Sequence, residues 1–396
     1  MRYILVFALS FSFVLASIGV INWVVDPFGM YWSPVYQGVN ATKPEAGNRS
    51  RVSKAYRSVE AAPQVLLLGN SRIEMGIDPE HELFKTRQVY NLGMPGASLS
   101  MQLDYGLNVI HANKTVKEVI LSVDFLDFLS IKSPNVPSSA KADYNSRLPY
   151  LSSENSEQTE WFMLKEKMAM TLSLDALSAT IRTLISQNSQ VSSITSKGFN
   201  TAQEYRQIVR LEGVIPLFNQ KLDEIEQRLD QENLVFEPES EQGYSKEFSK
   251  LRTFISALND ADIRLTIFTS PYHYSYLQVL SEKGYWQDFM KWKTYLAALK
   301  SHNESIDIWD FSGFSQFSLE PVPVPTPHQE MDFYWEPAHY KSEVGDLILQ
   351  RMKTGEPDHF GHPLNEQTIE TIIRANNEGL LRSQAQWDKL KSGLGR

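Results

Sequence analysis

Gln64-Val65-Leu66-Leu67-Leu68-Gly69-Asn70-Ser71-Arg72 decides how the whole chain is read. Four consecutive apolar residues, Val65 to Leu68, fit a central parallel strand covered on both faces, because a strand with one wet face would alternate. Gly69 lets the backbone turn sharply. Ligands of open parallel α/β sheets sit beyond the carboxyl ends of the strands, which is where Ser71 falls. Asn70 and Ser71 also suit a plain helix cap, so this stretch alone leaves both roles open.

The pattern repeats outward from that point. Ile73 to Phe84 reads as a helical segment broken at Asp78-Pro79, and Gln88 to Asn91 as a second strand running into Leu92-Gly93-Met94-Pro95-Gly96-Ala97-Ser98. Two glycines three apart after a strand leave amide N–H groups able to face an anion, though such a pair alone reads equally as a turn. A helix from Ser98 to His111 and a third strand from Val116 to Val123, ending at Asp124, complete a parallel α/β pattern. After a polar, helix-prone middle the pattern resumes. A helix over 246–258 leads to a strand over 264–268, and a helix over 286–300 to a strand over 306–309. A proline-rich loop, Pro321 to Pro327, precedes a last core helix over 343–352.

The amino-terminal stretch is of another kind. Tyr3 to Val25 carries no charge, a length matching the roughly 20 residues that cross a bilayer. Arg2 precedes it and Asp26 follows, so the positive-inside rule places the amino end in the cytoplasm and the rest of the chain outside. A signal peptide cleaved after Val14-Leu15-Ala16 is the alternative. The expected organisation is an anchor over 3–25, a polar and basic surface stalk over 26–60, and a core in two parts over 61–130 and 246–354. A helical insertion over 131–245 either packs on the core or caps a site. The tail over 355–396 holds a polar helix from about Asn365 to Trp387.

Composition narrows the chemistry. With 396 residues, 42% hydrophobic and 21% charged, the chain is globular, and a net charge of −9 argues against a nucleic-acid partner. There is no cysteine, which removes disulfides, thiolate nucleophiles and cysteine metal sites.

The second informative stretch is Met331-Asp332-Phe333-Tyr334-Trp335-Glu336-Pro337-Ala338-His339-Tyr340. A serine hydroxyl needs a base to take its proton, and the histidine that serves needs a carboxylate on its other ring nitrogen. Glu336, three residues before His339, supplies one; Asp332 is the competing acid. These residues lack a second histidine at helical spacing, so neither a metal nor any other cofactor is expected.

Gly69-x-Ser71, Asn91-x-Gly93-x-x-Gly96, a strand ending in Asp124 and the late acid-x-x-His339 together resemble the ordered blocks of the SGNH or GDSL hydrolase superfamily, over roughly residues 60–130 and 260–352. The resemblance implies a flavodoxin-like α/β fold, a mainly parallel sheet flanked by helices, here with a helical insertion and a transmembrane helix added. It implies Ser71 as nucleophile, His339 and Glu336 as base and acid, and Gly96 and Asp124 at the oxyanion positions, with Asn91 and Arg72 beside them at the substrate. This sequence departs from the family at Asn70, where aspartate is usual, in having a glutamate as triad acid, and at Asp124, where the family has asparagine. A charged carboxylate would repel an oxyanion, so Asp124 has to be protonated, face elsewhere or mark a weakened site.

Membrane-anchored exported members are similar to proteins that O-acylate cell-envelope polymers, such as those of alginate O-acetylation and lipoteichoic acid D-alanylation. The expectation is therefore a serine esterase or O-acyltransferase acting on an acylated envelope saccharide, with a membrane-bound acyl donor protein as partner if it transfers. The alternative is a non-catalytic glycan-binding or envelope-assembly protein on the same fold.

Overall fold

Val65–Leu68 forms strand β1, and every one of its side chains is fully buried, as the unbroken apolar run requires. The computed structural model describes residues 1–132, 143–151, 157–188, 194–240, 243–301, 303, 305–356 and 359–396. Around β1 the central sheet gathers β2 (Val89–Asn91), β3 (Glu118–Val123), β4 (Arg264–Thr269) and β5 (Ile306–Asp310), all parallel. A short antiparallel strand, β8 (His362–Pro363), closes one edge. The order β2-β1-β3-β4-β5-β8 reverses direction between β1 and β3, which is the position where doubly wound sheets open a crevice at their carboxyl edge.

Helices cover the sheet. α3 (Ser71–Gly76) and α4 (Leu99–Ala112) follow β1 and β2, while α9 (Lys246–Asp260) leads into β4 and α10 (Tyr274–Glu282) and α11 (Trp286–Ser301) follow it. α12 (Ser342–Thr354) packs on α3. The tail helix α13 (Ile369–Leu394) runs further than its polar sequence suggests, burying Trp387 and Leu390 where it lies along α10 and α11.

Two parts of the chain differ from their sequence reading. The expected stalk is built into the domain: α2 (Ser50–Glu60) packs on α4, and Lys54 is buried in an ion pair with Glu74, 2.9 Å away. Its basic residues looked like a solvated face because an isolated sequence does not show that a buried carboxylate waits for one of them. The insertion, whose sequence reads as a helix over 161–186, is not one continuous helix there. Ser173 breaks it into α5 (Glu157–Leu172) and α6 (Leu174–Ile185), with the Ser173 side chain capping α6. α7 (Gln203–Leu211) and α8 (Val214–Leu229) follow, and α8 buries Leu217, Phe218, Leu222, Ile225 and Leu229 against the core.

The amino-terminal helix α1 (Arg2–Val25) is long and apolar enough to cross a membrane. Asp26 ends it in the left-handed conformation, and the buried Lys43 ammonium caps the carbonyls of Val25 and Asp26 at 2.9 and 2.8 Å.

Candidate active site

The turn after β1 admits only glycine. Gly69 has φ +154°, and a Cβ there would lie 2.8 Å from Ile73 Cγ2 and 3.1 Å from Ser122 Cβ. Asn70 takes the capping role, its Oδ1 accepting the Arg72 amide at 3.0 Å, and the Ser71 hydroxyl stays out of the cap.

Facing Ser71 is a tight hairpin. β6 (Tyr334–Glu336) and β7 (His339–Tyr340) are antiparallel, joined by Pro337-Ala338, with Glu336 directly opposite His339. Residues opposite each other in such a pair put their side chains on one face, so the acid and the base meet without a helical turn. Ser71 Oγ lies 2.7 Å from His339 Nε2. His339 Nδ1 bonds to Glu336 Oε1, while Oε2 accepts the Ala338 amide at 2.7 Å. A carboxylate only accepts, so Nδ1 carries the proton and Nε2 is the lone pair aimed at the serine. Burial works against the Glu336 carboxylate, but the imidazole and the Ala338 amide hold its pKa below the ordinary glutamate value.

Asp332, the competing acid, is exposed, and the Glu320 carboxylate takes its amide; it does not reach His339. Asp124 is not an oxyanion group. It is buried, with Oδ2 bonded to the Arg72 guanidinium and accepting the Tyr272 hydroxyl at 3.1 Å, and Oδ1 accepting the Leu126 amide at 2.9 Å. Of the three alternatives the sequence left open, the carboxylate faces elsewhere. Arg72 in turn donates Nε–H to the Ala338 carbonyl at 2.9 Å and lies over the stacked rings of Tyr272 and Tyr276. Burial opposes its charge, yet the Asp124 carboxylate more than compensates and raises its pKa. The Asp124–Arg72 pair thus grips the residue next to His339. Asn91 is also structural: its Nδ2 donates to the carbonyls of Ile73 and Ile77, both at 2.8 Å, and its Oδ1 accepts the Gly93 amide at 2.9 Å.

Gly96, at φ +60°, lines the cleft together with Ser71 and His339. Asn70 and Met94 form an isolated parallel bridge that turns the Ser71 amide towards the Met94 carbonyl, while among the described residues the Gly96 amide donates to no protein acceptor. The cleft encloses about 580 Å³. Its far wall comes from α8 as Lys221, Glu224 and Arg228, with Asp127 and Glu247 beside them. Tyr205 of α7 sets its ring 6.0 Å from that of His339.

None of these wall residues was singled out from sequence. Lys221, Glu224 and Arg228 recur on one polar face of a helix whose apolar face was visible, and that spacing was the available signal. Asp127 differs: burial, and then the Asp124 charge, pushes its pKa up to about 7. No protein-family model matches the chain, and no curated protein matches it. The chemistry of the cleft therefore rests on its geometry.

Proposed function

We propose that the chain is a serine esterase or O-acyltransferase with an SGNH-like core, anchored in the cytoplasmic membrane by α1 and acting on acylated cell-envelope saccharides on the exported side. The observation that carries the reading is the approach of Ser71 Oγ to His339 Nε2 at 2.7 Å, with Glu336 on Nδ1. As the serine oxygen attacks an ester carbonyl, its proton passes to Nε2, and Glu336 stabilises the imidazolium that forms. The carbonyl oxygen becomes an oxyanion in the part of the cleft lined by Gly96, whose backbone amide is the donor that would stabilise it. Collapse expels the alcohol, which takes the proton from Nε2, and leaves the acyl group on Ser71. Water or a sugar hydroxyl then repeats the sequence in reverse, giving hydrolysis or transfer.

A saccharide suits the lining. Lys221, Glu224, Arg228, Asp127 and Glu247 offer donors and acceptors to hydroxyl groups, and Leu126, Leu129 and Ile225 offer apolar surface to an acyl group. A membrane-bound acyl donor protein is the partner a transferase would need.

The test is covalent labelling of the full-length protein with a fluorophosphonate. Labelling of the wild type, absent from a Ser71→Ala variant that folds normally, supports the reading. Labelling that survives Ser71→Ala overturns it. A folded wild type that no such probe labels, yet that binds acylated saccharide, makes the chain a binding protein on this fold.

A further inference from the structure

α1 does not stand clear of the domain along its whole length. Tyr3 to Ala16 is exposed all round, but from Ser17 onward one face packs on α5 and α6, burying Gly19, Asn22 and Val25. The free portion begins after the charged Arg2 and amounts to roughly 21 Å of helix at 1.5 Å per residue. A bilayer's hydrocarbon core is about 30 Å thick. The missing length, on the order of six residues, comes only from the packed portion, and tilt would increase the need. Spanning therefore draws Ser17 to about Asn22 to membrane depth together with whatever is packed there.

What is packed there is the α5–α6 elbow. A Cβ on Gly19 would lie 2.8 Å from Leu172 Cδ2, so the Leu172 side chain rests against the α1 backbone at the break. The outer face of the elbow is apolar. Leu174 at its tip is 85% exposed, and Ile181 and Ile185 continue the stripe along α6 at 53% and 77%. Met168 and Leu164 extend it along α5, each 48% exposed.

The polar groups of the break are satisfied from inside, as a low-dielectric setting demands. Asn22 Nδ2 donates to the Thr171 carbonyl at 2.8 Å, Thr180 Oγ1 donates to Asn22 Oδ1 at 2.7 Å, and Ser173 Oγ accepts the Ala176 amide at 3.1 Å. The exposed Arg49–Asp175 pair, at 2.7 Å, limits how deep the elbow goes and places its neighbourhood at the headgroups.

We infer that the α5–α6 elbow is a second membrane-contacting element, a monotopic wedge that inserts its Leu174 tip into the interfacial zone of the leaflet from which α1 emerges. The occupant of this apolar face is lipid. The inference rests on α1 spanning the bilayer, and its test separates the two.

The chain has no cysteine, so single labelling sites are free of background. Full-length protein carrying Leu174→Cys, Ile181→Cys or Ile185→Cys, each labelled with an environment-sensitive fluorophore, is reconstituted in phosphatidylglycerol–phosphatidylethanolamine nanodiscs containing a nitroxide lipid. Leu9→Cys reports on the span, and Leu381→Cys, on α13, is the aqueous control. Ser178→Cys reports on the same α6 stripe without removing an apolar side chain, should Leu174→Cys fold poorly. The expected result is blue-shifted emission and quenching at 174 and along the stripe at 181 and 185, with none at 381. Quenching at Leu9 with water-like emission at 174 and 178 overturns the wedge and leaves the span intact. Absence of quenching at Leu9 overturns the span and the wedge together. Protection at 174 that appears only when a second membrane protein is added shows that protein, not lipid, covers the face, and overturns the inference.

Discussion

Two serine–histidine pairs stand along the carboxyl edge of this one sheet, at the same separation. Ser71 Oγ is 2.7 Å from His339 Nε2, and Ser275 Oγ is 2.7 Å from His273 Nδ1. In the first, the far ring nitrogen meets the Glu336 carboxylate and the serine opens into a cleft of about 580 Å³. In the second, the far nitrogen donates to the Glu320 carbonyl at 2.8 Å, and both residues are fully buried as the N-terminal cap of α10. A carbonyl orients an imidazole but carries no charge to support its protonation, and burial lowers the His273 pKa to about 4. Distance alone therefore does not make a nucleophile. Access and a carboxylate do.

The comparison breaks most sharply at the serines. Ser71→Ala is expected to lower ester turnover by about 10⁶-fold, the scale seen when a triad nucleophile is removed. Ser275→Ala should leave turnover unchanged and cost about 0.5–1.5 kcal/mol in urea unfolding, from one lost hydrogen bond, since His273 Nδ1 keeps the Ser275 amide at 3.3 Å. Equal losses of turnover would erase the distinction.

Next in size is the carboxylate. Glu336→Gln should lower turnover by about 10⁴-fold, because the amide no longer enforces the tautomer or stabilises the imidazolium. Asp332→Asn, on an exposed side chain, should be silent. A loss on Asp332→Asn with Glu336→Gln intact would move the acid.

Asp124→Asn probes the pair behind His339. Leaving Arg72 buried without its partner is expected to cost about 3–5 kcal/mol of stability, read by urea unfolding. It should not raise turnover, since Asp124 faces Arg72 rather than the oxyanion; a gain would return it to the oxyanion position.

The smallest effects lie in pH. His273 has its folded pKa lowered to about 4, so the unfolded chain takes up the proton first and stability is lost as pH falls from about 6.5 towards 4. His273→Asn should flatten that acid limb. Asp127 has the opposite sign: with its folded pKa raised to about 7, the folded state holds the proton longer, and stability falls as pH rises from about 4 through 7. Asp127→Asn should therefore stabilise the protein more at pH 8 than at pH 5, measured as melting temperature.

Local rules carried much of the reading. A run of four apolar residues ending in glycine marked β1 and the place of Ser71, and the spacing of Glu336 and His339 marked the second half of the constellation. What was missed depends on partners distant in sequence. Nothing near Asp124 tells that Arg72, 52 residues earlier, will claim it. Likewise Lys54 reads as surface until Glu74 is placed beside it, and Lys221 and Arg228 read as solvent-facing until α8 is laid across the cleft. His273 follows a strand as an ordinary loop histidine does, and burial together with a carbonyl partner in place of a carboxylate separates it from His339.

The junction of α1 with the domain also sets an order of assembly. Asn22 finds its partners 149 and 158 residues further along, in Thr171 and Thr180. Until that much chain has been made, the last turns of the helix hold an amide with neither its donor nor its acceptor engaged by the fold. Closing so long a loop is slow and entropically costly. Completion of the native state is thus a late event that reports on the far end of the insertion, and a lesion there would be felt first as failed maturation at the helix.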